Sequence, residues 1–201
     1  SGWGFLQVFI IFYFGIFTHG ARRLHFIISY IGAWNLVGLV VATVFSSAGP
    51  CFYQLYYHHN IYQFDQLLQY IHQSLPIAAL IQHKLWYAYT HRASIKFIGI
   101  SAFPSLHVGI SYLFYLAFKE SHPKLKWFTI SFNIIIWIGS FHLGWHYAID
   151  GLVAIPCIHL VWIYSKQLAQ LLQRANNKPL PSPLHNERNQ VRTLKKSIQC
   201  E

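Results

Sequence analysis

The apolar positions of this chain fall in long blocks, with the charges confined to the gaps. No Lys, Arg, Asp or Glu occurs between Arg23 and Asp65, between Lys96 and Lys119, or between Lys126 and Asp150. Uncharged, mainly apolar segments of roughly 20 residues can cross a hydrocarbon core about 30 Å thick. The pattern predicts spanning helices at residues 3–18, 25–45, 104–118, 127–145 and 150–172. The apolar run of the third starts at Phe97, which predicts an extended entry. A different pattern occurs in "IYQFDQLLQYIHQ", where Ile61, Phe64, Leu68 and Ile71 recur at helical spacing among polar residues. It predicts a helix lying in the interface, within a loop (residues 49–100) too long to be structureless. The expected fold is all-α: a polytopic helical membrane protein with about five spanning helices and one interfacial helix. Residues 1–173 form the membrane domain. Residues 174–201, polar and proline-bearing, are expected to be a basic, disordered tail.

Composition supports a membrane protein: 54% of the 201 residues are hydrophobic and 10% charged, too few charges for an ordinary soluble domain. The formal charge of +10 would fit nucleic acid, but the cations sit between and after the apolar blocks. Strict alternation puts Arg22 and Arg23, the group Lys119, Lys124 and Lys126, and the cations after residue 172 on one side. Excess Lys and Arg marks the cytoplasmic side, so the C-terminus is expected there. Lys84, Arg92 and Lys96 fall on the outer side, against the rule. Cys51, Cys157 and Cys200 are odd in number and scattered, which is no disulfide framework. The chain has no methionine and begins at Ser1, so it reads as an incomplete or processed product.

Candidate chemistry gathers at the outer ends of the blocks. Of five acidic residues, Asp150 alone lies at the edge of a spanning segment. An ionisable group there costs about 2.5–3.5 kcal/mol unless partnered, which makes it a functional candidate. In "GWHYAIDG", His146 stands four residues before it. On a helix the two share a face, and the carboxylate would fix the imidazole tautomer. A purely structural His–Asp pair is the competing reading. In "FPSLH", Pro104 fits the first turn of a helix, leaving the amides of Ser105, Leu106 and His107 as donors for an anion. Two histidines, one backed by a carboxylate, beside an anion cradle suit phosphoryl transfer. One histidine attacks phosphorus and the other protonates the leaving oxygen. His142, one turn before His146, reads either as touching the site or, with more weight, as structural, and His159 reads as a helix-packing histidine. His58 and His59 lack the neighbouring carboxylates or paired cysteines of a metal site, and no metal is expected.

"FPSLH" and "GWHYAID" resemble the second and third motifs of the type 2 phosphatidic acid phosphatase superfamily. "HYAIDG" with "PSLH" looks closest to the branch containing inositol phosphorylceramide synthases and related bacterial proteins. The resemblance covers roughly residues 95–165. It implies a six-helix core, one helix preceding Ser1, metal-independent chemistry without a cofactor, and a phosphohistidine intermediate. It implies His146 as nucleophile, Asp150 as its orienting partner, His107 as leaving-group acid, and Ser105 and Ser140 as phosphate ligands. The family's first motif, lysine and arginine-proline, is absent, and Phe141 stands where its third motif usually has arginine. Arg92 and Lys96 are the expected substitutes on phosphate.

The expected function is lipid phosphatase activity on a lipid phosphoester at the outer face, in a bacterial inner membrane. The alternative is a phosphotransferase passing the phosphoryl group to an alcohol, with "YQLYYHHNIYQFDQ" as a site for a polyol acceptor. Further alternatives are a transporter relaying protons through His and Asp, and an inactive relative.

Overall fold

The structure, a computed structural model, describes residues 2–57, 64–91 and 101–177. Their regular structure is helical: α1 (Gly2–Phe17), α2 (Gly20–Val44), α3 (Pro50–Tyr57), α4 (Asp65–Ser74), α5 (Pro76–Thr90), α6 (Leu106–Ser121), α7 (Lys126–His142) and α8 (Ala148–Asn176). Among the described residues the one β-type pairing is an isolated antiparallel bridge, Ala48 with Ser101. The all-α expectation holds. Among the described residues two helices, α2 with 25 residues and α8 with 29, are long and apolar enough by themselves to cross a membrane. α1, α6 and α7 have 16, 16 and 17 residues, so five crossings remain an expectation.

The boundaries shift for physical reasons. α2 begins at Gly20, where a positive φ of 59° turns the chain, and so takes Arg22 and Arg23 into its first turn. Its middle, Ala33–Val41, is π-helical, a widening usually found as single-turn bulges near functional sites. α6 starts at Leu106 with Ser105 as N-cap, so Pro104 precedes the helix and does not occupy its first turn. α7 stops at His142, before the Trp145 expected from the apolar pattern. α8 runs on to Asn176. Among the described residues, the segment 49–100 holds three helices where one was expected. Within it the predicted face is real: Ile71 is fully buried, and Phe64 and Leu68 are half-buried. Ile61 lies outside the described residues.

α6 is the central helix and packs on both α7 and α8. Gly109 lets α8 approach: a methyl group there would lie 2.9 Å from Ile158 Cγ1. Phe14, Phe26, Phe114, Phe118 and Ile158 form the core shared by α1, α2, α6 and α8. Exposed apolar side chains such as Phe9, Leu39, Ile135 and Leu171 cover the outside, as expected where the surroundings are hydrocarbon. Two buried polar side chains of the bundle are tied to backbone. His25 bonds the Trp162 carbonyl at 2.9 Å, and Asn133 donates to the Val108 carbonyl at 3.0 Å and to Ser111 Oγ at 2.6 Å.

The two ends of the bundle differ in charge. Arg22 and Arg23 open α2, Lys119 and Glu120 close α6, and Lys124 and Lys126 enter α7. Lys166 of α8 reaches Glu120 at 2.9 Å. His107 and His146 lie at the opposite end.

Candidate functional site

His146 lies between helices, not on one. The chain leaves α7 at His142, and Gly144 turns it with φ 69°, a conformation that favours glycine. The Ser140 carbonyl then accepts the amides of both Trp145 and His146, each at 3.2 Å. Tyr147 is the N-cap of α8. The continuous helix that would align His146 with Asp150 is therefore broken, and the expected hydrogen-bonded pair does not form. His146 Nδ1 is 3.8 Å from Asp150 Oδ2, too far for a hydrogen bond.

A backbone group takes that place. His146 Nδ1–H donates to the Ala102 carbonyl at 2.6 Å. Carbonyl oxygens only accept, so this bond fixes the proton on Nδ1 and leaves the Nε2 lone pair free. The ring is 8% exposed. Burial pushes the imidazole down to about 4, and nearby His107 adds to this, while the Ala102 bond acts the other way. Nε2 therefore carries a free lone pair at neutral pH. Asp150 has a different partner: its Oδ2 accepts the Tyr147 amide at 2.7 Å. This is the N3 carboxylate of a cap, placed where the helix dipole favours negative charge. It holds the start of α8 against the His146 turn.

The second half of the site is the start of α6. The His107 ring centroid is 5.8 Å from that of His146, at 61°. Ser105 joins α6 to α8 because its amide donates to the Asp150 carbonyl at 3.1 Å. That amide is thus not the free donor expected. Helix geometry still leaves the amides of Leu106, His107 and Val108 without intrahelical acceptors. Ser105 Oγ is fully buried and has no hydrogen-bond partner. Such an orphan hydroxyl is uncommon and points to a missing polar ligand. Beside it are a helix N-terminus and two imidazoles, an arrangement suited to a tetrahedral oxyanion.

The remaining expected residues are placed differently. The Ser140 hydroxyl donates to the Trp137 carbonyl at 2.7 Å, so its contribution runs through the turn that carries His146. Phe141 packs edge-on against Trp137, with centroids 5.9 Å apart. Arg92 and Lys96, like His58 and His59, lie outside the described residues. His142 is exposed at the end of α7. His159 shares a 3.0 Å bond with the Tyr112 hydroxyl, joining α8 to α6 as a packing histidine. Among the described residues no three His, Cys, Asp or Glu side chains gather as a metal site.

Three supports escaped the sequence reading. The Ala102 carbonyl carries no side-chain signal. It is positioned by the Ala102 amide, which donates to the Ser47 carbonyl at 2.8 Å. Buried Gln82 of α5 donates to the Leu143 carbonyl at 3.2 Å, and the Cys51 amide donates to the Gly144 carbonyl at 2.9 Å. Helices α3 and α5 thus grip the turn that carries His146. Asn133 was detectable as a lone amide within an apolar block, where a polar group needs a partner.

A bundle of apolar helices with two histidines and an orphan hydroxyl at one end suits a membrane protein that handles an oxyanion. The model of the PAP2 superfamily matches residues 2–164, and the chain belongs to that superfamily. Over 136 residues it is 29% identical to the inositol phosphorylceramide synthase catalytic subunit AUR1 of Saccharomyces cerevisiae. That alignment covers 67% of this chain and 32% of the yeast protein, so the chain spans about a third of its relative's length. No solved structure matches. The resemblance seen in "FPSLH" and "GWHYAID" therefore extends over most of the chain, and the superfamily and its relative are enzymes of phosphoester hydrolysis and phosphoryl transfer.

Proposed function

We propose that the protein cleaves a lipid phosphoester by double displacement at the face of the membrane carrying His107 and His146. His146 Nε2 forms a bond to phosphorus as the bond from phosphorus to the lipid oxygen breaks. His107 gives that oxygen its proton. Water then attacks phosphorus, the P–N bond breaks, and the water proton passes to His107. Ser105 Oγ and the first amides of α6 hold the phosphoryl oxygens, with Ser140 and Asp150 positioning the His146 turn. Arg92 and Lys96 remain the proposed cations for the phosphate charge. The observation that carries this reading is the His146–Ala102 bond, which leaves Nε2 unprotonated beside His107.

A second reading, transfer to an alcohol in place of water, is favoured by α3, α4 and α5. These reach the same turn through Phe52 of α3 against Trp145, Phe64 at the start of α4 against Tyr147, and Gln82 of α5 on the Leu143 carbonyl. The relative's name is that of a synthase. By the distribution of cations, the site faces away from the cytoplasm and the C-terminus faces it.

The test is to supply labelled lipid phosphates to purified protein with and without polyols. Free phosphate alone supports the hydrolase, and label on the polyol supports the transferase. Failure to release or transfer label from any lipid phosphate, by protein shown to be folded, contradicts both.

A further inference from the structure

A second site lies beside the candidate catalytic site, between α1, α6 and α7. Here a groove of about 350 Å³ is lined by Leu6, Phe9, Phe114, Phe118, Phe128 and Phe132 among others. Its upper edge adjoins the site through one indole, that of Trp3. Trp3 stacks on Phe132 at 5.8 Å and lies 6.0 Å from Phe114, and the same indole lies 6.0 Å from the His107 ring. Polar groups line its lower end. The Tyr13 hydroxyl and His122 Nε2 share a 2.5 Å hydrogen bond, joining α1 to the end of α6. From His107 to His122 the chain advances 15 residues, which at about 1.5 Å each is roughly 22 Å.

We propose that this groove holds one hydrocarbon chain of the lipid phosphoester and that the Tyr13–His122 pair, as its floor, limits the chain length accepted. The proposal rests on the phosphoester reading above. Continuity selects the occupant: a molecule whose phosphate sits at Ser105 and His107 has its tail beside Trp3, at the mouth of the groove. A chain that reaches the floor fills the apolar lining. A longer one must displace the hydrogen-bonded pair or bend out between α1 and α7. Each methylene in an apolar pocket changes relative turnover by about tenfold or more, so discrimination between chain lengths is steep at the floor.

Two variants move the limit in opposite directions. Leu6→Trp fills the groove below Trp3, and Tyr13→Ala opens the floor. The probes are lipid phosphates of graded chain length, some with a terminal diazirine, in phosphatidylcholine nanodiscs. Light should attach the diazirine probe near Tyr13, Phe118 and His122, and unlabelled lipid phosphate should compete it away. Leu6→Trp should shift the turnover optimum to shorter chains, and Tyr13→Ala should shift it to longer ones, by tenfold or more in relative kcat/KM. Labelling in the groove that lipid phosphate does not compete would mean bulk lipid fills it, and would overturn the proposal. Cross-links to a second copy of the chain, or identical chain-length profiles in all three proteins, would do the same. Competed labelling without turnover by the wild type would support the groove while contradicting the phosphoester reading.

Discussion

The two ends of the bundle are both polar, but they are built differently. At the His107 end several polar groups beside the exposed His107 are buried and bonded to backbone of distant segments. His146 reaches Ala102, Ser105 reaches Asp150, and Gln82 reaches Leu143. At the other end the charges are exposed side chains, and the Lys166–Glu120 bridge is 50% and 38% exposed at its two partners. The first arrangement fixes atoms relative to one another. The second suits contact with water and anionic headgroups, for which position matters little. Chemistry needs the first kind and topology needs only the second.

Mutations should separate the ends in order of effect. Replacing His146 with Ala should lower turnover at least ten-thousandfold, as loss of a nucleophile does, while the helical content by circular dichroism stays unchanged. His107→Asn should cost about a hundredfold to ten-thousandfold. That loss should shrink on an aryl phosphate, whose leaving group needs no proton. An equal loss on both substrates would remove His107 from the acid role. Gln82→Leu leaves the Leu143 carbonyl unpartnered and should destabilise by about 1–3 kcal/mol, read as an earlier thermal transition. Lys166→Gln should change stability by under about 1 kcal/mol and leave kcat alone. A large turnover defect there would break the contrast between the ends.

Acidity sharpens the same contrast. The fold favours the neutral His146 ring, whose value falls from 6.5 to about 4 through burial. Its contribution to stability is full above 6.5 and is lost as pH falls toward 4. The acid limb of kcat/KM due to His146 should therefore lie near 4, not near 6.5. A pH–rate profile on protein held in nanodiscs measures it.

The helices were readable because hydrophobic blocks bounded by charge report length and burial directly. Arg22, Lys119 and Lys126 mark three of those boundaries. The site was readable in its residues but not in its bonds. "FHLGWHYAID" continues the apolar pattern through Trp145, and only Gly144 signals the break that takes His146 off the helix. Once that helix is broken, an i, i+4 argument for His146 and Asp150 no longer applies. The partner that replaces Asp150 is a backbone carbonyl 44 residues away, which no side-chain pattern encodes. The grip of α3 and α5 was hidden for a related reason, since Gln82 looks like any polar residue of an interfacial helix until it is found buried.

The central claim is that His146 Nε2 forms a bond to phosphorus. Rapid quenching of the protein during turnover of a ³²P-labelled lipid phosphate, under alkaline conditions that preserve phosphohistidine, tests it most directly. The label should stay on the protein and map by peptide mass spectrometry to His146, and be absent from His146→Ala. Steady turnover with no label on the protein, or label on another residue, would contradict it.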